Sequence, residues 1–228
     1  MEKFSEQPLR GDDHHWSDLP QILPLGDCAL LVRFGQSLDE AANSAALAFA
    51  TRMQSDSIDG VSEVVPSLVS VLVRYDPMII GPVRLAGELG LRLISDNAPE
   101  TARVQHVAVR FDGPDLDEVA ALLGLSREAF VAAHNRSGLR VLTTGFAPGF
   151  VYCGFHDSAL NVPRRELVKP RVPAGSVLFA AGQTAIAATE VPTGWHVIGH
   201  TDFRNFDVDQ NPPTRLRAGD QLIFEVVS

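Results

Sequence analysis

The stretch from Gly145 to Thr201 carries most of the residues in this chain that could bind or transform a small molecule. Arg164, Arg165, Lys169 and Arg171 place four cations within eight residues of a chain whose formal net charge is −9. A cleft bearing several of them suits a carboxylate, an acyl phosphate or a nucleotide phosphate, because guanidinium groups grip such oxyanions through paired hydrogen bonds. Solvated loop charges, one or two of them ion-paired, are the competing reading. Gln183 and Thr184 can hydrogen-bond an amide substrate or satisfy a local turn. His196 and His200 flank a short strand, and their spacing of four predicts one shared face, with His200 the stronger acid–base candidate. Phe146, Tyr152 and Trp195 suit either the wall of a ligand cleft or core packing.

Familiar catalytic signatures are missing. The chain has no G-x-x-x-x-G-K-[ST] phosphate loop, no G-x-S-x-G nucleophile elbow and no H-E-x-x-H zinc pair. Ser176, in Ala174-Gly175-Ser176, reads as a structural turn serine at the start of a strand, since a nucleophile needs a base beside it. The two cysteines, Cys28 and Cys153, lie far apart in apolar settings and form no C-x-x-C pair. Both are expected to be buried, reduced thiols. His14 and His15 sit in a polar leader without further ligands, so no metal site is expected. The acidic balance lacks a basic face for phosphodiester backbones or anionic membranes, which argues against nucleic acid and membrane partners. No run of 18 apolar residues and no secretory signal occurs, so a soluble, cytoplasmic protein is expected.

These residues need elements to position them. Residues 1–20 read as a disordered leader. From there Cys28–Phe34 reads as a strand, and Ser37 with Glu40 forms a capping-box signature for a helix to about Ser55. Val61–Val65 and Val69–Tyr75 read as strands, and Leu85, Leu89 and Leu93 mark a helix over 83–94. This order predicts a small α+β sandwich over 21–100, with two helices on one face of an antiparallel sheet. A domain boundary is expected at 97–102. Residues 101–228 open with a strand over 104–111. Helices capped by Asp115 and Ser126 follow, then short strands at 140–143, 176–180, 184–188, 196–199 and 221–227. That spacing indicates a compact barrel or sandwich.

The ordered segments are specific as a set. Gly145-Phe146-Ala147-Pro148-Gly149-Phe150-Val151-Tyr152 comes first, then Pro163-Arg164-Arg165 and Lys169-Pro170-Arg171-Val172-Pro173-Ala174-Gly175-Ser176-Val177. Gly182-Gln183-Thr184, Pro192-Thr193-Gly194-Trp195 and Ile198-Gly199-His200-Thr201 complete the series. Leu25-Gly26-Asp27-Cys28, Val64-Val65-Pro66-Ser67, Gly113-Pro114-Asp115-Leu116 and Arg217-Ala218-Gly219-Asp220 extend it over about residues 22–227.

In this pattern the chain resembles the family of the 5-oxoprolinase B-type subunit, allophanate hydrolase subunit 1 and a sporulation-kinase inhibitor. The resemblance implies an α+β first domain and a cyclophilin-like β-barrel second domain. It implies a heteromer with a second carboxyltransferase-like subunit, similar to the 5-oxoprolinase C-type subunit or to allophanate hydrolase subunit 2. It also implies ATP, with Mg2+, shared with partner subunits in activating a small cyclic amide such as 5-oxoproline. A urea-carboxylase or allophanate-type carboxyltransferase subunit is the first alternative, and a histidine-kinase-binding inhibitor the second. His200, Gln183 and Thr184 are then the catalytic candidates. Arg164, Arg165, Lys169, Arg171, Phe146, Tyr152 and Trp195 are the substrate- or anion-binding ones.

The pattern also departs from the family. Leu178 and Ala181 replace usual glycines, and Ala185, Ala187, Thr193 and Phe155 stand where glycine or an aromatic is common. A side chain at a left-handed glycine position is costly, so shifted loops and an altered substrate are expected.

Overall fold

The computed structural model describes residues 20–94 and 102–227. Nearly all of the expected leader, the histidine pair within it and the boundary expected at 97–102, apart from Ala102, lie outside the described residues.

The first half builds one antiparallel sheet with helices on one side. Its strands are β1 (Gln21–Pro24), β2 (Ala29–Arg33), β3 (Val61–Pro66) and β4 (Ser70–Tyr75), in the order β1-β2-β4-β3. Alternate residues of β2 and β4, namely Leu30, Val32, Val71, Val73 and Tyr75, face a core shared with helices α1 (Glu40–Ser55) and α2 (Pro82–Leu93). Phe49, Met53, Leu85 and Leu89 supply the helical side of that core. Period-two strands and period-3.6 helices thus meet over one apolar layer. The N-cap of α1 is Asp39, whose Oδ1 accepts from the Ala42 N–H at 2.8 Å, rather than the expected Ser37–Glu40 box. Strand β1 carries only four residues and lacks a clear alternation, which hid it in the sequence.

The second half is a seven-stranded curled sheet in the order β12-β9-β10-β7-β6-β13-β5. Its strands are β5 (Val104–Val109), β6 (Leu139–Thr144), β7 (Val151–Gly154), β9 (Ser176–Ala180), β10 (Gln183–Ile186), β12 (His196–His200) and β13 (Gln221–Val226). Strands β8 (Lys169–Val172) and β11 (Val191–Thr193) form a separate ribbon. The two edge strands approach where Arg110 and His200 exchange backbone bonds of 2.9 and 2.8 Å, which draws the sheet towards a barrel. That seam demands glycine. A Cβ on Gly113 or Gly199 would stand 2.3 Å from backbone atoms of Val197 and Ile198 or of Arg110.

Each face of this sheet buries a core. Val107, Val141, Val151, Phe179, Ile186, Ile198 and Phe224 point inward against α3 (Leu116–Leu122) and α4 (Arg127–His134). The outer face collects Phe150, Leu178, Ala180, Ala185, Ala187, Trp195 and Val197 under Val172 and Val191 of the β8–β11 ribbon. Residues sheathed on both faces read as continuous apolar runs, as Ser176–Ala180 does. The mixed α+β class and the barrel-like second half agree with the sequence expectation.

Ser126 caps α4 as expected, accepting from the Ala129 N–H. Asp115 precedes α3 without a side-chain cap bond, because its carboxylate is used elsewhere. Cys153 is buried as expected, whereas Cys28 is exposed at the β1–β2 turn. No described helix is long and apolar enough to cross a membrane.

Candidate functional site

The outer face of the second sheet carries a continuous aromatic row. Ring centroids run Phe146–Phe150 at 5.4 Å, Phe150–Tyr152 at 4.9 Å and Tyr152–Trp195 at 5.9 Å, in tilted or edge-on contacts. The Arg164 guanidinium stands 5.6 Å over the Trp195 ring and ends the row. Four of the predicted site residues therefore meet in one surface: Phe146, Tyr152, Trp195 and Arg164. Their burial is graded, with Trp195 at 6% exposure as the floor and Phe146 at 70% as the open end. Burial raises the Tyr152 pKa while the Arg164 charge opposes it, so the phenol is neutral and can donate a hydrogen bond.

Gln183 joins this surface through strand alternation. Ala185 pairs with Tyr152 across β10 and β7, and Gln183 lies one step along the same face. Its side-chain amide makes no hydrogen bond to another described residue. It is half-buried and open to solvent on this surface.

The remaining cations are already occupied. Asp115 accepts from Lys169 Nζ at 2.5 Å, from Arg165 Nη1 at 3.3 Å and from the Val197 backbone N–H at 2.7 Å. Arg165 also reaches Glu118 at 2.6 Å, and Arg171 pairs with Glu190 at 3.2 Å in solvent. Burial raises the Asp115 pKa, but its contacts with Lys169, Val197 and Arg165 outweigh that and hold it below the usual carboxylate value. The four-cation loop is thus no open anion cradle. Arg165 and Lys169 act as fasteners, which no spacing rule could show, because Asp115 lies 50 residues upstream of Arg165.

Those fasteners hold Arg164 in place. On one side His196 Nε2 bonds the Pro163 carbonyl at 3.1 Å, and on the other the Arg165 N–H donates to the Gly194 carbonyl at 2.7 Å. The guanidinium is presented over Trp195 by a loop whose backbone is tied down on both flanks.

Two catalytic candidates lie elsewhere. Thr184 is fully buried on the inner face, where its hydroxyl meets His134 Nε2 and His156 Nε2, each at 2.8 Å. His134 Nδ1 lies 2.6 Å from Asn135 Oδ1, which can only accept. The proton order follows from that acceptor: His134 carries its proton on Nδ1, Thr184 donates to His134 Nε2, and His156 Nε2–H donates to Thr184. Thr184 therefore knits a buried network and lies on the opposite face of the sheet from the aromatic row. Burial lowers the pKa of both His134 and His156 well below the usual histidine value, and neither was noticed in the sequence, because neither falls in a recognisable motif.

His200 also departs from expectation. The register shifts between Val197 and Gly199, so His196 pairs with Phe179 and His200 with Ser176. Phe179 and Ser176 have opposite parity along β9, so the two histidines face opposite sides of the sheet, not one shared side. His200 Nδ1 bonds Asp112 Oδ1 at 2.9 Å, a bond that helps hold the Asp112 pKa low. This His–Asp pair can work as a proton acceptor, but it stands at the seam, three strand positions from Tyr152. The structure does not bring His200 into the aromatic row.

The departures from the family pattern fall in and around this surface. Leu178, Ala185 and Ala187 are fully buried beneath it, so they shape its floor and not its loops. Ala181 keeps a left-handed backbone, φ 51°, beside Gly182 in the β9–β10 turn. A non-glycine residue thus holds a conformation that favours glycine, at a cost in backbone strain. Thr193 Oγ1 accepts from the Trp195 backbone N–H at 3.0 Å and fixes the turn that carries the indole.

Arg165, Lys169 and Arg171 already face carboxylates, which leaves Arg164 as the cation of this loop open to an oxyanion among the described residues.

Comparison with known proteins agrees with this architecture. Residues 20–216 match the model of the carboxyltransferase domain, subdomain C and D. The chain is 34% identical over 223 residues to the 5-oxoprolinase B-type subunit of Bacillus subtilis, covering 91% of this chain and 93% of that one. It is 30% identical over 211 residues to the corresponding 5-oxoprolinase chain of Haemophilus influenzae, covering 90% and 97%. Among solved structures, TTHA0988 superposes with a TM-score of 0.78 at 36% identity, over 88% of this chain but 40% of that longer one. The Kluyveromyces lactis urea amidolyase shares the fold at a TM-score of 0.77 and 16% identity, over 93% of this chain and 15% of the other. With the match spanning both sheets, the chain belongs to the family of the carboxyltransferase domain, subdomain C and D.

Proposed function

We propose that this chain is the B-type subunit of a heteromeric 5-oxoprolinase-type amide hydrolase, and that its aromatic row with Arg164 and Gln183 binds a small cyclic amide. The observation that carries the reading is the convergence of Phe146, Tyr152, Trp195 and Arg164 on one face. Near-full-length similarity to 5-oxoprolinase chains of the same B type supports it. A planar amide stacks on Tyr152 and Trp195. Gln183 then bonds its amide group, and Arg164 takes up negative charge, either a substrate carboxylate or charge gathering on the amide oxygen.

The ring opening consumes ATP in this reading. The nucleotide is a substrate of the assembled complex, with its phosphates held outside the Arg164–Arg171 loop. The partner is a second carboxyltransferase-like subunit. His200 and Asp112, remote from the aromatic row within this chain, contribute a proton acceptor only if that partner closes over the seam.

The test is ATP-dependent turnover of 5-oxoproline by the chain co-expressed with its partner subunits. Arg164→Ala and Gln183→Ala should each lower kcat/KM by about tenfold or more, while Arg171→Ala leaves it unchanged. Full activity in the Arg164→Ala, Gln183→Ala double variant would remove the site assignment. Turnover of allophanate or a urea-derived substrate, with none of 5-oxoproline, would replace the substrate reading with the carboxyltransferase or allophanate one. Capture of a histidine kinase without any turnover would favour the inhibitor reading.

A further inference from the structure

A partly buried cation without a carboxylate partner lies away from the predicted loop. Arg140, on β6, lines a cleft of about 590 Å3 between α1 of the first half and the 214–220 segment of the second. Its Nε donates to Asn43 Oδ1 at 3.1 Å, and no carboxylate among the described residues forms an ion pair with it. A partly desolvated guanidinium without a counter-ion is unfavourable, and such a group is satisfied by an anion when one is present.

The arginine is also held in place. Asn43 is fully buried, and its Nδ2 bonds the Leu68 carbonyl at 2.7 Å and the Leu142 carbonyl at 3.0 Å. One amide thereby ties α1, the β3–β4 turn and β6 together, while its oxygen fixes the plane of Arg140. Asp220 is the acidic residue of the lining, and it is 1% exposed. Its oxygens are engaged by Arg103 at 3.0 and 2.6 Å and by the Arg217 N–H at 3.0 Å. Its carboxylate is turned to those partners and forms no ion pair with Arg140. The hydroxyls of Ser44, Thr51, Thr144 and Thr214 line the same cleft and can bond oxyanion oxygens. The volume falls in the usual range of small-molecule sites.

We propose that this interdomain cleft is a second binding site, for a small organic or inorganic oxyanion, with Arg140 as its anchor and Asn43 as the residue that positions it. Carboxylates and phosphates share the chemistry that Arg140 recognises. Because the walls come from both halves of the chain, an occupant also braces one against the other.

Inorganic phosphate and succinate, titrated separately into the full-length protein and followed by amide NMR shifts and calorimetry, test this directly. Saturable binding of one or both is expected, with shifts centred on residues 44–55, 140–144 and 214–220. Arg140→Gln should weaken it about tenfold or more, and Arg164→Gln, at the aromatic row, should leave it unchanged. Thr51→Trp, at an exposed wall position away from Arg140, should block the cleft and also abolish binding. Binding of only one ion supports the proposal and identifies the oxyanion class. The proposal is overturned if neither ion saturates, or if binding survives both Arg140→Gln and Thr51→Trp. It is overturned equally if Arg164→Gln alone abolishes binding. Activity of the assembled enzyme plays no part in this readout, so its outcome is independent of the hydrolase reading.

Discussion

A single hydroxyl, that of Thr184, satisfies two imidazoles inside a box of phenylalanines. His134 packs against Phe111, Phe130, Phe179 and Phe224, with centroid distances of 5.5 to 5.9 Å, and lies 4.6 Å from the His156 ring. Burial lowers the His134 pKa to about 4. Burial and the neighbouring His134 lower that of His156 to about 3. Both histidines are thus neutral in the folded chain at pH 7. The unfolded chain takes up their protons near pH 6.5, so stability is level above that pH and declines below it. The loss should continue to about pH 4 for His134, amounting to about 3 kcal/mol from that residue alone. Denaturant unfolding between pH 7.5 and 4 measures it. His134→Gln should flatten part of the slope, and an unchanged slope would show that the histidines are not neutral when folded.

Among the elements, the loop over 163–169 and strand β12 decide what the aromatic row can do. Asp115 fastens the loop through Lys169 and Arg165 and fastens β12 through the Val197 N–H. Removing it leaves Lys169 and one buried N–H without their acceptor and Arg165 with Glu118 alone. Asp115→Ala should therefore cost about 3 kcal/mol and release Arg164 from Trp195. Faster amide exchange over residues 163–169 and a raised KM report the release, whereas a purely local loss of stability would leave KM alone. The register shift in β12 has a consequence of the same kind. It turns His200 outward towards Asp112 and leaves His196 inside as a support for Pro163.

The whole molecule depends on closure of the second sheet. Arg110 and His200 bond through their backbones at the seam, and Gly113 and Gly199 let the two segments approach. A methyl group at Gly199 would meet the Arg110 carbonyl oxygen at 2.3 Å and has no flexible neighbour to displace. Gly199→Ala should therefore cost about 3 kcal/mol or more. It should also expose the amides of Arg110 and His200 to exchange, while the first-half core around Phe49 and Leu89 stays protected. Uniform loss of protection across both halves would instead show that they unfold as one unit.

The sequence by itself determined the class of fold, most helices and longer strands, the family pattern and the aromatic residues that meet in one row. Local periodicity and turn chemistry specify those features over a few residues, and the ordered Gly/Pro segments add a signature over most of the chain. Short strands such as β1, β8 and β11 carry too few residues for an alternation to show. Which cations are free was decided only by the tertiary structure. Arg164, Arg165, Lys169 and Arg171 are equivalent by type and spacing, yet Asp115, Glu118 and Glu190 claim three of them from distant positions. The same holds for Thr184, turned inward by strand parity, and for Arg140, which lies between the two halves and pairs with no carboxylate among the described residues. Charge pairing and burial arise from contacts between residues far apart in sequence. The fold has to bring the partners together before a charged residue becomes either a fastener or a site.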